Sequence, residues 1–250
     1  MSALYDAYAS VYDRTGQSRF SLRMVSYARE LWELSGHEPQ SLLELACGTG
    51  SAAVAFANRG LAVTAVDQSE AMLALARAKA TRWGAEVRWR CQDIRELALG
   101  GTFDAATCFY DSINYLLVPE DLEKAFERVA AHLAPGGLFL FDAITEYAVS
   151  TAWGNETEVK VEDAYARIWR ASYDPHKRIG ALKVDYFVEE ADTGLYRRIR
   201  ETHHHRGYSL FEVREALERA GFDLVNAYDC LTLNAVSAST YRIAYLARRS

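Results

Sequence analysis

Leu42-Leu43-Glu44-Leu45-Ala46-Cys47-Gly48-Thr49-Gly50 is the stretch that decides the fold. A leucine-rich run ends in two glycines one residue apart, and Ser51–Asn58 then reads as a helix closed by Gly60. Near-continuous apolar runs of this kind are strands buried on both faces of a parallel sheet. At the turn, glycine lets the backbone approach a ligand closely, and the first helical N–H groups are free to bind one. Gly48-x-Gly50-x-x-Ala53 satisfies the loose dinucleotide fingerprint GxGxxG/A, a pattern that a tight turn without a ligand also satisfies.

Runs of the same kind lie on either side. Strands are predicted over Ser41–Cys47, Ala62–Asp67, Val87–Gln92, Asp104–Phe109 and Leu138–Ala143. Helical periodicity fills the gaps: Ser69 precedes Met72, Leu75 and Ala76, and Leu122, Phe126, Val129, Ala130 and Leu133 run into Pro135-Gly136-Gly137. Phe20, Met24, Ala28, Leu31 and Trp32 mark an amphipathic helix ahead of them. This alternation is the signature of an α/β fold.

From about Val159 the period changes to two. Three alternating runs follow, separated by the turn sequences Asp174-Pro175-His176-Lys177 and Asp192-Thr193-Gly194. They predict a three-stranded antiparallel meander inserted after the fifth core strand. Ser209-Leu210-Phe211-Glu212 fits a capping box, and Gly221 closes that helix. Phe222–Cys230 and Tyr241–Arg248 are too close in sequence for a helical crossover and should pair antiparallel. The expected division is a core of residues 1–147 and 208–250 with an inserted antiparallel lid at 148–207, serving substrate capture or dimerisation.

Composition narrows the function. The 250 residues are 50% apolar and 25% charged, enough to bury a large core. With 28 basic and 34 acidic side chains the net charge is −6, which lacks the cationic footprint of a nucleic-acid binder. No run of about 20 apolar residues exists to span a bilayer. Met1-Ser2-Ala3-Leu4-Tyr5-Asp6 has neither a cationic lead nor an apolar core, so a cytoplasmic protein is expected, a monomer or homodimer. Cys47, Cys91, Cys108 and Cys230 form no CxxC and no metal spacing, as buried reduced thiols would not.

The candidate site gathers where the strands end, the ligand crevice of open α/β sheets. Asp67 closes the second strand, where a carboxylate can accept both ribose hydroxyls of a nucleoside or cap the next helix beside Ser69. Asp93 after the third strand could take an adenine amino proton while the Ile94 N–H meets a ring nitrogen.

Here the chain resembles the class I S-adenosylmethionine-dependent methyltransferases. Their first motif, an acidic residue followed by alternating glycines, is matched by Glu44, Ala46, Gly48 and Gly50. Ala46 departs from the usual glycine and fits if its φ is negative. Asp67, Asp93, the Leu133–Leu138 turn and the final hairpin match too, and the hairpin separates this topology from that of dehydrogenases. The resemblance implies a Rossmann-like sheet, mostly parallel with its last strand antiparallel, and a site for S-adenosylmethionine, whose product is S-adenosylhomocysteine. The cofactor wall is then Tyr12, Glu44, Ala46, Cys47, Gly48, Gly50, Asp67, Gln68, Met72, Gln92, Asp93, Ile94 and Phe109. The repeated Tyr-Asp of Tyr5-Asp6 and Tyr12-Asp13 and the inserted lid are similar to small-molecule N-methyltransferases acting on glycine, sarcosine or amino sugars.

Methyl transfer from a sulfonium needs an aligned nucleophile more than a strict triad. Asp111 and Asn114, in the segment after strand four, are the expected groups to orient or deprotonate an amine. Tyr12 is expected to fold over the cofactor, and His203 to act as a substrate-facing base. His203 and His205 share a strand face and are read as lacking a nearby fixed carboxylate, so no metal site is expected. The expected function is methyl transfer to a small-molecule acceptor. An NAD(P)-dependent oxidoreductase and a non-catalytic cofactor-binding protein are the alternatives.

Overall fold

Leu42, Leu43 and Leu45 are almost completely buried because their strand lies in the interior of the main sheet. The structure is a computed structural model that describes residues 5, 7–153, 156–163, 165–190 and 193–250. Met1–Leu4 and Asp6 of the N-terminal segment, and Asp192 of the second turn sequence, lie outside the described residues.

In chain order the helices are α1 (Ala9–Tyr12), α2 (Ser18–Leu34), α3 (Ser51–Ala57), α4 (Glu70–Trp83), α5 (Pro119–Ala131), α6 (Glu146–Ala152) and α7 (Leu210–Arg219). The main sheet takes β1 (Ser41–Leu45), β2 (Ala62–Asp67), β3 (Val87–Cys91), β4 (Phe103–Cys108) and β5 (Leu133–Ile144). After an insertion of β6 (Thr157–Glu162), β7 (Tyr165–Asp174), β8 (Ile179–Glu189) and β9 (Tyr196–Arg206), the chain returns to it with β10 (Phe222–Asp229) and β11 (Arg242–Arg249).

The strand order is β10-β11-β5-β4-β1-β2-β3. Neighbours from β3 through β5 are parallel, and β11 is antiparallel to both β5 and β10. The expected Rossmann-like sheet with an antiparallel closing hairpin is therefore the observed one. Period-two alternation sends Leu43 and Leu45 to one face, where Phe126 and Val129 of α5 and Leu217 of α7 cover them. Leu42 faces the other way, into Met24 and Leu31 of α2 and Phe56 of α3. Among the described residues no helix is long and apolar enough to cross a membrane.

The helix ends follow their local chemistry. Ser69 Oγ accepts the Met72 N–H at the start of α4, and Ser209 with Glu212 forms the capping box of α7. The inserted sheet corrects the sequence reading: it has four strands, in the order β6-β7-β8-β9, rather than three. β6 is exposed along its whole length, so Val159 and Val161 carry no burial signal that would separate strand from loop. The cysteine expectation also needs amending. All four thiols are free, but Cys91 is exposed and Cys230 only half-buried.

Ala46 departs from the sequence expectation most sharply. Its φ is +49°, in the left-handed region, not negative. A Cβ there presses on the following carbonyl oxygen at a cost of roughly 1–2 kcal/mol. Replacing Ala46 by glycine is expected to stabilise the protein by about 1 kcal/mol, less the entropy that glycine gains in the unfolded chain. Urea denaturation of the two proteins measures it.

Candidate active site

The glycines of the first loop have different duties. A Cβ on Gly50 (φ +71°) would come within 2.6 Å of the Trp89 ring and 2.8 Å of the Ala76 Cβ, so Gly50 lets the turn pack onto β3 and α4. A Cβ on Gly48 (φ +54°) would meet nothing within 4 Å, because that side of the loop opens into a cavity. The cavity holds about 340 Å³. Its walls are the carboxyl ends of the parallel strands, the inner face of the inserted sheet, and the N-terminal segment that carries α1.

At one end Asp67 anchors the glycine loop. Its Oδ2 accepts the Gly48 N–H at 2.7 Å and its Oδ1 the Ser69 N–H at 2.9 Å. Burial raises the carboxyl pKa, and the backbone N–H groups pull it back down. Each oxygen keeps a lone pair, and Asp67 lines the cavity with Ala46, Cys47 and Gly48. Gln68, Met72, Gln92, Asp93, Ile94 and Phe109 complete this end. Asp93 is already held by Arg95, which donates its backbone N–H and Nε to Oδ1 and Nη2 to Oδ2. That hydrogen bonding keeps the Asp93 carboxyl below its ordinary value. The Gln92 side chain is spent closing its own loop onto Ala98.

Glu44 and Gly50 belong to the expected cofactor wall but do not line the cavity. Glu44 is buried on β1 behind the loop, and burial with the nearby Asp67 charge raises its pKa from 4.5 to about 8. The folded state thus holds that proton more tightly than the unfolded chain does. The stability linked to it is complete below about pH 4.5 and is lost as pH rises through 8. Glu44→Gln is expected to remove this loss: between pH 6 and 8.5 its urea midpoint falls less than that of the unaltered protein.

At the other end β4 runs into two consecutive left-handed residues, Tyr110 (φ +64°) and Asp111 (φ +50°). Such backbone persists only when it is held. Asp142, fully buried on β5, accepts the Tyr110 N–H at 2.6 Å and the Asp111 N–H at 2.9 Å. Arg242 from β11 then bridges the two carboxylates, reaching Asp111 Oδ1 at 2.7 Å and Asp142 Oδ2. Burial raises both carboxyl pKa values, against the Arg242 charge that lowers them.

The expected catalytic residues separate here. Tyr12, Asp111 and His203 line the cavity; Asn114 does not. Its buried amide donates to the carbonyl oxygens of Ile144 and Arg206 and accepts the Ile144 N–H. It ties β5 to β9 and has no face toward a substrate. His203 and His205 point inward, while His204 is exposed. Burial holds both inward rings neutral, with pKa values pushed down to about 4 and about 3. Among the described residues, no group of three or more His, Cys, Asp or Glu side chains is placed to hold a metal ion.

Several wall residues were not foreseen: Gln17, Tyr115, Tyr186, His205 and Arg242 all face the cavity. Trp169 lines it too, with Arg167 stacked 3.4 Å above its ring. The N-terminal tyrosines reach the inserted sheet, where Tyr8 stacks on Tyr186 at 4.5 Å and donates to its hydroxyl at 2.8 Å.

S-adenosylmethionine fits these residues. Open space beside Gly48, a carboxylate with lone pairs at Asp67, the Ile94 segment and a run of aromatic faces are what a nucleoside joined to a sulfonium requires. Comparison with known proteins agrees. Residues 42–137 match the family model described as "Methyltransferase domain". The chain is 30% identical over 253 residues to "Putative methyltransferase YqeM" of Bacillus subtilis, covering 99% of this chain and 98% of that one. It is 30% identical over 221 residues to the dTDP-3-amino-3,6-dideoxy-alpha-D-glucopyranose N,N-dimethyltransferase of Streptomyces fradiae, covering 85% of this chain and 80% of that one. The crystal structure of an S-adenosylmethionine-dependent methyltransferase from Clostridium acetobutylicum superposes with a TM-score of 0.89 at 28% identity, covering 98% and 99% of the two chains. The oxidoreductase alternative gains no support from these likenesses. A loop opened by Gly48, a carboxylate at the end of β2, a hairpin closing the sheet and full-length relatives all agree, and the chain belongs to the S-adenosylmethionine-dependent methyltransferases.

Proposed function

We propose that this methyltransferase acts on the amine nitrogen of a small molecule that carries no phosphate. The observation behind this reading is the acceptor end of the cavity, walled by phenols, indoles and two neutral imidazoles. Its cations are already matched: Arg242 by Asp111 and Asp142, and Arg95 by Asp93 and Asp121. An anionic group would find no unpaired cation among the described lining residues, whereas an amine meets hydrogen-bond acceptors and aromatic faces. The Streptomyces fradiae relative, whose name gives it an amino-sugar substrate, supports the amine but not the nucleotide it carries.

S-adenosylmethionine supplies a methyl group on a positively charged sulfur with a good leaving group. The residues then have mainly to align the nitrogen, and positioning alone can contribute about 7–11 kcal/mol. Asp67 would accept the ribose hydroxyls, Asp93 and the Ile94 N–H would meet the adenine, and Tyr12 and Phe109 would offer ring faces to the cation. Asp111, bound to Arg242, holds the floor in place rather than taking a proton. His203, neutral and inward-facing, meets the Tyr115 hydroxyl through Nδ1 at 2.8 Å.

The test is transfer of labelled methyl to benzylamine, free amino sugars, phenols and nucleotide-linked amino sugars. Label on amine nitrogen of unphosphorylated acceptors is the expected result. Transfer confined to phenolic oxygen, or to the nucleotide-linked sugars, would overturn the reading.

A further inference from the structure

We infer that His203, Tyr115 and Tyr5 form a chain of hydrogen bonds, given its direction by Glu201 beside His203, that leaves the Tyr5 oxygen as a pure acceptor in the cavity, so that only a nitrogen still carrying a hydrogen is methylated. The inference rests on the amine reading above and adds a limit to it: methylation stops at the tertiary amine.

The chain joins three parts of the fold. His203 lies on β9, Tyr115 on the short helical turn after β4, and Tyr5 in the N-terminal segment. His203 Nε2 is 3.4 Å from Glu201 Oε2, and its Nδ1 is 2.8 Å from the Tyr115 hydroxyl. The Tyr115 hydroxyl in turn is hydrogen-bonded to that of Tyr5. Tyr5, Tyr115 and His203 all line the cavity.

Counting protons sets the direction. Burial keeps both phenols protonated and the His203 ring neutral, so each of the three groups has one proton to give. A ring proton on Nδ1 would turn the Nε2 lone pair toward the Glu201 Oε2 lone pairs 3.4 Å away, which is repulsive. A proton on Nε2 is attracted by that oxygen. Nδ1 then accepts from Tyr115, and the Tyr115 oxygen accepts from Tyr5. With its own proton spent, Tyr5 has only lone pairs left for the substrate.

A primary or secondary amine satisfies this arrangement. Its N–H donates to Tyr5, which turns the nitrogen lone pair away from the phenol and toward the methyl group. Transfer forms the N–CH₃ bond with that lone pair and breaks the S–CH₃ bond, whose electrons stay on sulfur. A proton leaves the product nitrogen to solvent. A neutral tertiary amine has no N–H to donate, and its lone pair is opposed by those of Tyr5.

Two measurements on the full chain with S-adenosylhomocysteine or S-adenosylmethionine test this. Histidine-ring ¹H–¹⁵N spectra of the complex, with His203 assigned through His203→Asn, are expected to show the proton on Nε2. Tyr115→Phe should shift the Nδ1 resonance as its donor disappears. A proton on Nδ1, or no shift in Tyr115→Phe, would overturn the chain whatever the substrate is. Separately, benzylamine and N-methylbenzylamine are expected to be methylated and N,N-dimethylbenzylamine not, with Tyr5→Phe lowering kcat/KM for the secondary amine at least tenfold and S-adenosylhomocysteine affinity unchanged within twofold. Quaternary product would overturn the limit. Transfer to none of the three amines, with the ring proton on Nε2, would overturn the amine reading and with it the limit, while the chain direction stands.

Discussion

Arg242→Met is expected to cost about 3–5 kcal/mol of folding stability, the loss found when one member of a buried ion pair is removed and the other stays charged. Here the removed cation serves two carboxylates. Asp142 is fully buried and Asp111 nearly so, and methionine offers neither of them a hydrogen bond. The carboxyls will respond by holding protons, since burial already raises their pKa values and the opposing charge is gone. In the variant the folded state binds more protons than the unfolded chain, so its deficit grows with pH and shrinks toward pH 5. Urea denaturation of both proteins at pH 5 and pH 8 measures this. A deficit that is equal at the two pH values would mean that Arg242 acts by packing on Phe20 and Tyr110 rather than by charge.

Asp67→Ala is expected to weaken S-adenosylhomocysteine binding at least 100-fold, measured by calorimetric titration. Hydrogen bonds to a charged acceptor contribute roughly 1.5–3 kcal/mol each, and a ribose offers two. The substitution also frees the Gly48 and Ser69 N–H groups that the carboxylate now holds, so the loop loses its anchor along with the ligand's partner. Asp67→Asn separates the two effects. Its amide keeps one acceptor and no charge, and should recover part of the affinity. Equal loss in both variants would place the effect in the charge alone.

How much of this was legible follows from the range of each interaction. The glycine loop, the acidic end of β2 and the core strands themselves could be read because each rests on neighbours in sequence or on a period of two or 3.6. The φ of Ala46 could not, since alanine by itself favours a negative φ and the loop closes on Asp67 from another strand. Arg242 was out of reach for the same reason: its partners lie on β4 and β5, and only the fold brings them together. A signal for half of that cluster was present. Asp142 interrupts Leu138-Phe139-Leu140-Phe141 and Ala143-Ile144, and a carboxylate inside such an apolar run needs a partner. Asn114 was misread because a polar residue near a strand end looks alike whether it meets a substrate or a buried carbonyl.

The N-terminal segment has a bearing on speed as well as on shape. Asp13 joins it to the core, accepting from Thr49 Oγ1 at 2.8 Å and pairing with Lys79 at 2.8 Å, while Tyr8 fastens it to the inserted sheet. Thr49 stands beside Gly48, so the clasp closes over the same loop that would receive the nucleoside. Loosening the clasp is therefore expected to speed departure of the spent nucleoside, which stopped-flow release of S-adenosylhomocysteine from Asp13→Asn measures. The Asp13–Lys79 pair is partly open to water and therefore screened by salt. Added salt is expected to speed that departure in the same way, by weakening a contact that does not touch the methyl group.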